Sequence, residues 1–163
     1  MNFDDLKALF EGFELADFLP EVDTVLGWVE TLLRLAVMAG PLLLLGFGLL
    51  YLFAPPKEAN HSLGFRCWWG MASLDAWIFT QRIAGLAWSV LGLVLTVVMI
   101  VICNSFRRIA PMDMAWLAVK CLLWELGLTG FVCLAINGLV IAAFDKDGFR
   151  RPWFEEKMKK DRP

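Results

Sequence analysis

Three long apolar stretches constrain the fold of this chain more than any other feature of its sequence. They run roughly over residues 34–53, 83–102 and 125–144. A bilayer hydrocarbon core about 30 Å thick is crossed by roughly 20 helical residues, so each stretch is long enough to form one transmembrane helix. Hydrophobic residues make up 59% of the 163 positions, against about 45–50% in a soluble domain. The sequence therefore predicts an all-α integral membrane protein with three transmembrane helices.

The first 30 residues precede these stretches and carry eight acidic residues and one lysine. Within 1–19, apolar side chains recur at helical spacing, while most acidic residues lie elsewhere on the helical wheel. This pattern predicts an amphipathic helix that ends at Pro20, because proline lacks a backbone donor and disfavours a continuing helix. We interpret residues 1–30 as an extracytoplasmic amphipathic segment.

The membrane domain is predicted to comprise residues 31–144. Pro41 lies inside the first span and predicts a kink there. Residues 55–82 form a polar and aromatic connector between the first two spans, and an amphipathic lead-in over 112–124 precedes the third. Residues 145–163 alternate aromatic and basic side chains, which predicts a basic amphipathic helix on an anionic membrane surface.

The distribution of lysine and arginine predicts the orientation of the chain. With three spans, the N-terminal segment and the loop between the second and third spans share one side and hold three of these cations. The connector and the C-terminal tail share the other side and hold ten. Cytoplasmic loops are enriched in lysine and arginine. The connector and the tail are therefore predicted to be cytoplasmic and the N-terminus to lie outside.

Small residues in two of the predicted helices indicate close helix packing. Gly85, Ser89 and Gly92 fall on nearly one face of the second helix, and Gly138 with Ala142 repeats the spacing in the third. Small side chains let helix backbones approach closely in lipid. The spacing favours contacts within one chain, and a homodimer is the alternative use of the same faces.

A spaced series of residues in the connector resembles a known pattern. In chain order the series is Pro56, Asn60, Gly64-Phe65-Arg66, Ser73, Trp77, Gln81-Arg82 and Gly85. It is similar to the recurring pattern of the SdpI/YhfL family of bacterial membrane proteins, over roughly residues 42–101. Cys67 stands where that family has threonine, so a role of the threonine hydroxyl does not carry over to this chain.

The resemblance implies a multi-pass protein of the bacterial cytoplasmic (inner) membrane that has no catalytic activity. The best-known type in this family gives immunity to a secreted peptide toxin, and it also resembles a receptor that holds a soluble transcriptional repressor at the membrane. The partners expected here are therefore a peptide toxin or a soluble repressor, beside the anionic inner leaflet. The expected site residues are Asn60, Gly64, Phe65, Arg66, Ser73, Trp77, Gln81 and Arg82.

The connector residues themselves have the chemistry of a docking surface. Arg66 offers five donors in a planar fork, and nearby tryptophans can stack on it. Asn60 can bond backbone groups in a turn, and Gly64 permits a positive φ. The alternative is that Arg66 and Arg82 only anchor the chain near lipid phosphates. On that interpretation Trp68, Trp69 and Trp77 belong to the interfacial aromatic belt.

Three polar residues are predicted to lie within or at the edge of the membrane. Arg34 and Glu125 each begin a predicted span at the outer margin, which makes a structural ion pair the simplest prediction. The alternative is that Glu125 lies deeper, on a wet proton or ion path with Lys120, Thr129 and Asn137. Asn137 lies within the hydrocarbon, where it can hydrogen-bond to another helix.

Several functional classes are not expected. The four cysteines form no C-x-x-C pair and the chain has a single histidine, so neither a metal nor another cofactor is expected. No nucleophile, base and orienting group occur at usable spacing for an enzyme. The short tethered tail does not suit direct nucleic-acid binding. The alternative function is a small structural or permeation subunit of a larger membrane complex, in which Glu125 and Asn137 would matter most.

Overall fold

The computed structural model describes the backbone of residues 15–57, 63–154 and 156, with side chains from Thr24 onward. Three long helices dominate these ranges: α1 (Leu15–Phe53), α2 (Leu74–Ser105) and α3 (Pro111–Ala143). Two 3₁₀ turns, Trp69–Met71 and Phe106–Arg108, lie beside α2. Within the described residues there is no strand, only one isolated bridge between Phe144 and Arg150. The prediction of an all-α fold is confirmed.

All three helices are long and apolar enough to cross a membrane. The qualifying segments within the described residues are Thr24–Phe53, Leu74–Arg108 and Pro111–Ala143. Their outward side chains are apolar too, since Leu93, Val97 and Leu126 are all more than half exposed. An apolar outer surface over this length suits lipid rather than water as the solvent.

The first helix passes through Pro20 without a break. It comprises 39 residues, which gives a length of about 58 Å at 1.5 Å per residue. The prediction that a helix ends at Pro20 is therefore wrong. One proline removes one backbone hydrogen bond, and helical residues on both sides maintain the helix here. The rest of the predicted N-terminal helix, residues 1–14, lies outside the described residues.

The second helix begins nine residues before the predicted span, at Leu74. Ser73 is extended, and its hydroxyl accepts a hydrogen bond from the Ala76 backbone N–H, which caps the helix. Asp75 adds an acidic group in the first turn, where it stabilises the helix dipole. The described part of the predicted connector, 55–57 and 63–82, is therefore irregular or 3₁₀ only as far as Ser73, and the part from Leu74 onward is helical.

The third helix is continuous from Pro111, which occupies its first position, to Ala143. Proline suits that position because its missing N–H would have no partner there. The lead-in over 112–124 and the span over 125–144 are thus one helix. Glu125 lies near the middle of this helix rather than at the start of one as predicted.

Glycines on α2 bring its backbone against that of α1. A Cβ built on Gly85 would lie 2.7 Å from the Leu52 nitrogen, and one on Gly92 would lie 2.9 Å from the Pro41 carbonyl oxygen. Gly48 on α1 meets the backbone of Ser89 in the same way. The prediction that these small residues pack within one chain is confirmed. A Cβ on Gly138 would meet nothing within 4 Å, so the second small-residue face is open.

Two buried apolar clusters fill the bundle, one toward each end. The first lies toward the loop between α2 and α3, and the second lies beside the connector. Val37, Leu95, Met99, Cys103, Phe106, Met114, Ala118 and Cys121 form the first cluster, and Phe65, Ala76, Ala84, Ile136, Val140, Ala143 and Phe144 form the second.

The start of the C-terminal tail is a tight turn rather than an amphipathic helix. The Asp145 backbone N–H donates to the Phe149 carbonyl at 2.9 Å, and the Asp145 carboxylate accepts the Phe149 N–H at 2.8 Å. Gly148 has a φ of +80°, which the turn requires. Phe154 then packs edge-on against Phe79 of α2. The predicted helix over 145–163 is wrong for residues 145–151, whereas residues 152–154 and 156 are helical, and residues 155 and 157–163 lie outside the described residues.

Candidate functional site

Gln81 of α2 fixes the connector by pairing with the backbone of Phe65. The Phe65 N–H donates to Gln81 Oε1 at 2.8 Å, and Gln81 Nε2 donates to the Phe65 carbonyl at 2.9 Å. The Gln81 side chain is fully buried. One amide thus satisfies both backbone groups of a buried loop residue, as a neighbouring strand would.

Trp77 and Gly64 form the second contact between the connector and α2. Gly64 has a φ of +122°, and a Cβ on it would lie 2.6 Å from a Trp77 ring carbon. Trp77 is fully buried and donates its Nε1–H to the Pro56 carbonyl at 2.8 Å. Glycine is therefore required at position 64 both for its backbone conformation and for space. The interpretation of Trp77 as an interfacial-belt residue is wrong.

Ser73 joins the connector to the C-terminal turn. Besides capping α2, its hydroxyl donates to the Gly148 carbonyl at 2.8 Å. A Cβ on Gly148 would lie 2.6 Å from that of Ser73, so the two segments touch closely. Arg150 reaches Asp75 on the first turn of α2 at 3.7 Å. The connector and the C-terminal turn therefore lie at the same end of the bundle.

Cys67, which stands where the SdpI/YhfL pattern has threonine, packs closely against Gly70 and Thr80. A Cβ on Gly70 would lie 2.7 Å from Cys67 Sγ and 2.6 Å from Thr80 Oγ1. Burial raises the pKa of the Cys67 thiol above its ordinary value, while hydrogen bonds involving Gly70 and Thr80 act in the opposite direction. The thiol is thus a small packing group and a poor nucleophile near neutral pH.

The remaining connector side chains point outward. Arg66 is exposed, Trp68 is 80% exposed, and Arg82 is exposed on the third turn of α2. A shallow groove of about 350 Å³ is lined by Trp68, Met71 and Ala72. The predicted site residues thus separate into an inward group that shapes the connector and an outward group able to meet a partner. Asn60, the remaining member, lies outside the described residues.

Arg34 pairs with its own helix rather than with Glu125. Its side chain donates to Glu30 Oε1 at 2.9 Å, one turn earlier, and Arg107 lies 3.7 Å from the same oxygen. The Arg34 guanidinium also lies 5.9 Å from the centroid of the Phe106 ring. The predicted pair of Arg34 with Glu125 is wrong, because Arg34 lies at the level of the loop between α2 and α3.

The predicted intramembrane residues of α3 behave differently from each other. Asn137 donates its Nδ2–H to the Cys133 carbonyl at 2.9 Å, so it bonds to its own helix and not to another one as predicted. Glu125 is buried on the face of α3 that meets α1. Lys120 is exposed on the same helix. These three side chains therefore do not form one path among the described residues.

Two residues of this site were missed in the sequence. The Tyr51 hydroxyl accepts a hydrogen bond from the Gly64 N–H at 3.2 Å. The Gly148 carbonyl accepts one from the Ser73 hydroxyl. Tyr51 is the only tyrosine in the chain, and it closes the first apolar stretch. Gly148 follows an Asp-Lys-Asp sequence that is typical of a turn. The sequence therefore contained a signal for each residue: the single tyrosine near the end of the first apolar stretch, and the turn sequence before Gly148.

Comparisons of the chain with family models, with curated proteins and with solved structures give no match. The resemblance of the connector to the SdpI/YhfL pattern therefore remains a prediction from its residues. What the structure adds is the geometry that those residues produce together.

Proposed function

We propose that this chain is a three-span protein of the bacterial inner membrane that acts in peptide-toxin immunity or membrane-proximal signalling through its cytoplasmic connector. One observation carries the proposal. The inward residues Gly64, Trp77 and Gln81 hold the connector at Pro56 and at Gly64–Phe65 against α2, while Arg66 and Trp68 are exposed. All of these residues except Trp68 belong to the series that carries the resemblance to the SdpI family.

A connector fixed in this way suits recognition of a partner. Ordering a loop upon binding costs free energy, and a loop ordered beforehand avoids much of that cost. Arginine and tryptophan contribute more to binding interfaces than most other residues, through bidentate hydrogen bonds and large apolar contact areas. Arg66 and the groove beside Trp68 offer both kinds of contact. A soluble repressor or a peptide toxin is the proposed occupant.

The orientation follows from the end of the bundle where the cations lie. The connector and the C-terminal turn meet through Ser73 and Gly148, and together with the rest of the tail their segments carry ten lysine and arginine residues. Positive charge near span ends favours the cytoplasmic side, where anionic lipids also attract it. This supports a cytoplasmic connector and C-terminus and an N-terminus outside.

Arg66→Ala should abolish the immunity or signalling phenotype in the bacterium that carries the gene, without lowering the amount of protein in the membrane. Arg66 is exposed, so its removal leaves the Gln81 and Trp77 contacts of the connector in place. Toxin survival or repressor-controlled reporter output is measured beside membrane immunoblots. Arg108→Ala, an exposed arginine at the other end of the bundle, is the matched control. An unchanged phenotype with Arg66→Ala would remove this residue from the site.

A cysteine at position 66 should react with a membrane-impermeant thiol reagent only after the cells are permeabilised. The reporter is Arg66→Cys in a chain whose native cysteines are replaced by alanine. The native Cys67 is unsuitable, because burial raises its pKa. Arg108→Cys in the same background should react in intact cells, since it lies in the opposite loop. Labelling of position 66 in intact cells would contradict the proposed orientation.

The second candidate is a small subunit of a larger membrane complex, and the N-terminal part of α1 favours it. The Glu30, Arg34 and Arg107 group places charge near one end of the bundle. Before that group, Val25 and Trp28 are 59% and 66% exposed, although they are apolar. In the subunit proposal a partner subunit, rather than lipid, covers them. Purification at native expression level separates the candidates, because a stoichiometric multi-protein complex favours the subunit and a lone protein or homodimer favours the connector proposal.

A further inference from the structure

Glu125 occupies a core position at the centre of α3. About 21 Å of helix precede it and about 27 Å follow it, at 1.5 Å per residue. Along the buried face of α3, Cys121 belongs to the first apolar cluster and Ile136 to the second, and Glu125 lies between them. A carboxyl group thus stands where the helix otherwise presents apolar side chains to the bundle.

The carboxyl group of Glu125 fills a space that α1 leaves open. A Cβ built on Gly40 would lie 2.6 Å from Glu125 Oε2, so any larger residue at position 40 would displace this side chain. The adjacent Pro41 lacks an N–H, which leaves the Val37 carbonyl of the same turn without its helical donor. A protonated carboxyl offers a hydrogen-bond donor in this turn, and a carboxylate does not.

No partner neutralises Glu125 among the described residues. Only 6% of the residue is exposed, Oε1 is buried without a hydrogen bond, and the carboxylate enters no ion pair.

The Cys103 thiol on α2 and the Cys121 thiol on α3 interact electrostatically with Glu125, and Arg34 on α1 interacts with Cys103. Two of these are thiols, and the arginine is bonded to Glu30.

These observations show that Glu125 does not belong to a structural ion pair among the described residues. An ionised carboxylate without a cation is costly to bury, and more so at the centre of a bilayer than at its edge. Ionisable side chains retained at such depth are typical of ion and proton pathways. The geometry supplies one buried carboxyl, no counter-charge among the described residues, and a nearby backbone carbonyl that lacks its helical donor, which is the chemistry of a site that takes up a single proton.

We propose that Glu125 is a reversible proton-binding site at the junction of α1 and α3, protonated in the packed bundle and deprotonated when the contact at Gly40 opens to water. This goes beyond the connector-based function and rests only on the three helices lying in a membrane. The ligand is a proton, and the part of the molecule that responds to it is the turn of α1 around Gly40 and Pro41.

The test is carbodiimide modification of the full chain in liposomes, located by peptide mass spectrometry. An apolar carbodiimide takes the proton of a carboxylic acid, the carboxylate oxygen adds to its central carbon, and rearrangement leaves a stable N-acylurea. We expect N,N′-dicyclohexylcarbodiimide to label Glu125 and the labelling to be lost as the pH is raised. A water-soluble carbodiimide with an amine should label the exposed Asp113 and leave Glu125 unmodified.

The variant Glu125→Gln provides a second test that does not depend on the carbodiimide entering the bundle. Glutamine has nearly the shape of the protonated acid and cannot lose a proton, so this variant should fold and should lack any loss of thermal stability at alkaline pH. The wild type should lose stability there, because deprotonation leaves a charge in the bundle. Equal pH profiles for the two proteins, or labelling of Glu125 by the water-soluble reagent, would overturn the proposal.

Discussion

Gly92→Val should prevent α1 and α2 from packing and should cause the largest loss of stability of any glycine substitution in this bundle. A Cβ at position 92 would meet the Leu45 nitrogen, lie 2.8 Å from the Leu45 Cα, and lie 2.9 Å from the Pro41 carbonyl oxygen. All three are backbone atoms of α1, which cannot rotate away as a side chain would. Overpacking a core costs about 1–3 kcal/mol and occasionally more, and we expect the upper end here.

The measurement is thermal unfolding of the detergent-purified protein, followed by circular dichroism and size-exclusion chromatography. Gly46→Val is the matched control, because it places the same side chain on α1 at a glycine whose Cβ would meet nothing within 4 Å. Both substitutions carry the same change in helix propensity, so their difference isolates the contact between helices. Equal melting temperatures for the two variants would show that the backbones of α1 and α2 are not as close as described.

Gln81→Leu should open the connector while leaving the three helices in place. Leucine cannot bond to the Phe65 backbone, so a buried N–H and a buried carbonyl both lose their partner. Each unsatisfied buried group costs about 1–3 kcal/mol, and the loop can avoid this cost by moving into water. We expect faster hydrogen exchange at residues 63–73 and proteolytic cleavage there under conditions that leave the wild type intact.

Arg82→Leu tests whether the effect of Gln81→Leu is specific to the buried amide. It makes the same apolar change one residue further along α2, at an exposed side chain. Substitutions at exposed positions usually change stability by no more than about 0.5 kcal/mol. The rate of amide hydrogen exchange in the connector should therefore remain as in the wild type. Equal opening in both variants would mean that added apolarity, rather than the loss of the Phe65 pair, destabilises the loop. Gln81→Glu should be intermediate, because a carboxylate still accepts the Phe65 N–H.

The helices and their ends were largely readable from the residues, but apolar length alone misplaced their boundaries. Ser73 with Asp75, and Pro111 with Asp113, are ordinary signals for helix starts, and the structure uses both. Hydropathy marks the part of a helix that suits lipid, not the part that is helical. This is why the connector was predicted to continue into α2, and why Glu125 was predicted at the edge of a span.

The division of the connector into inward and outward residues could not be read from its order. A loop has no helical or alternating period, so the spacing of its residues does not indicate which of them contact the neighbouring helix. The choice follows from Gln81 and Trp77, which lie on α2 and reach back to a loop that precedes them. The pairing of Ser73 with Gly148 joins residues still further apart along the chain.

The sequence by itself determined three apolar helices, the charge difference between the two ends of the chain, and a small-residue face on α2. These features depend on local composition and helical spacing, so neighbouring residues suffice to reveal them. Only the tertiary structure decided that Glu125 faces Gly40 and that Arg34 does not neutralise it. Such contacts depend on how whole helices align, and that alignment is fixed by backbone approach at glycines rather than by the residues beside the carboxyl group.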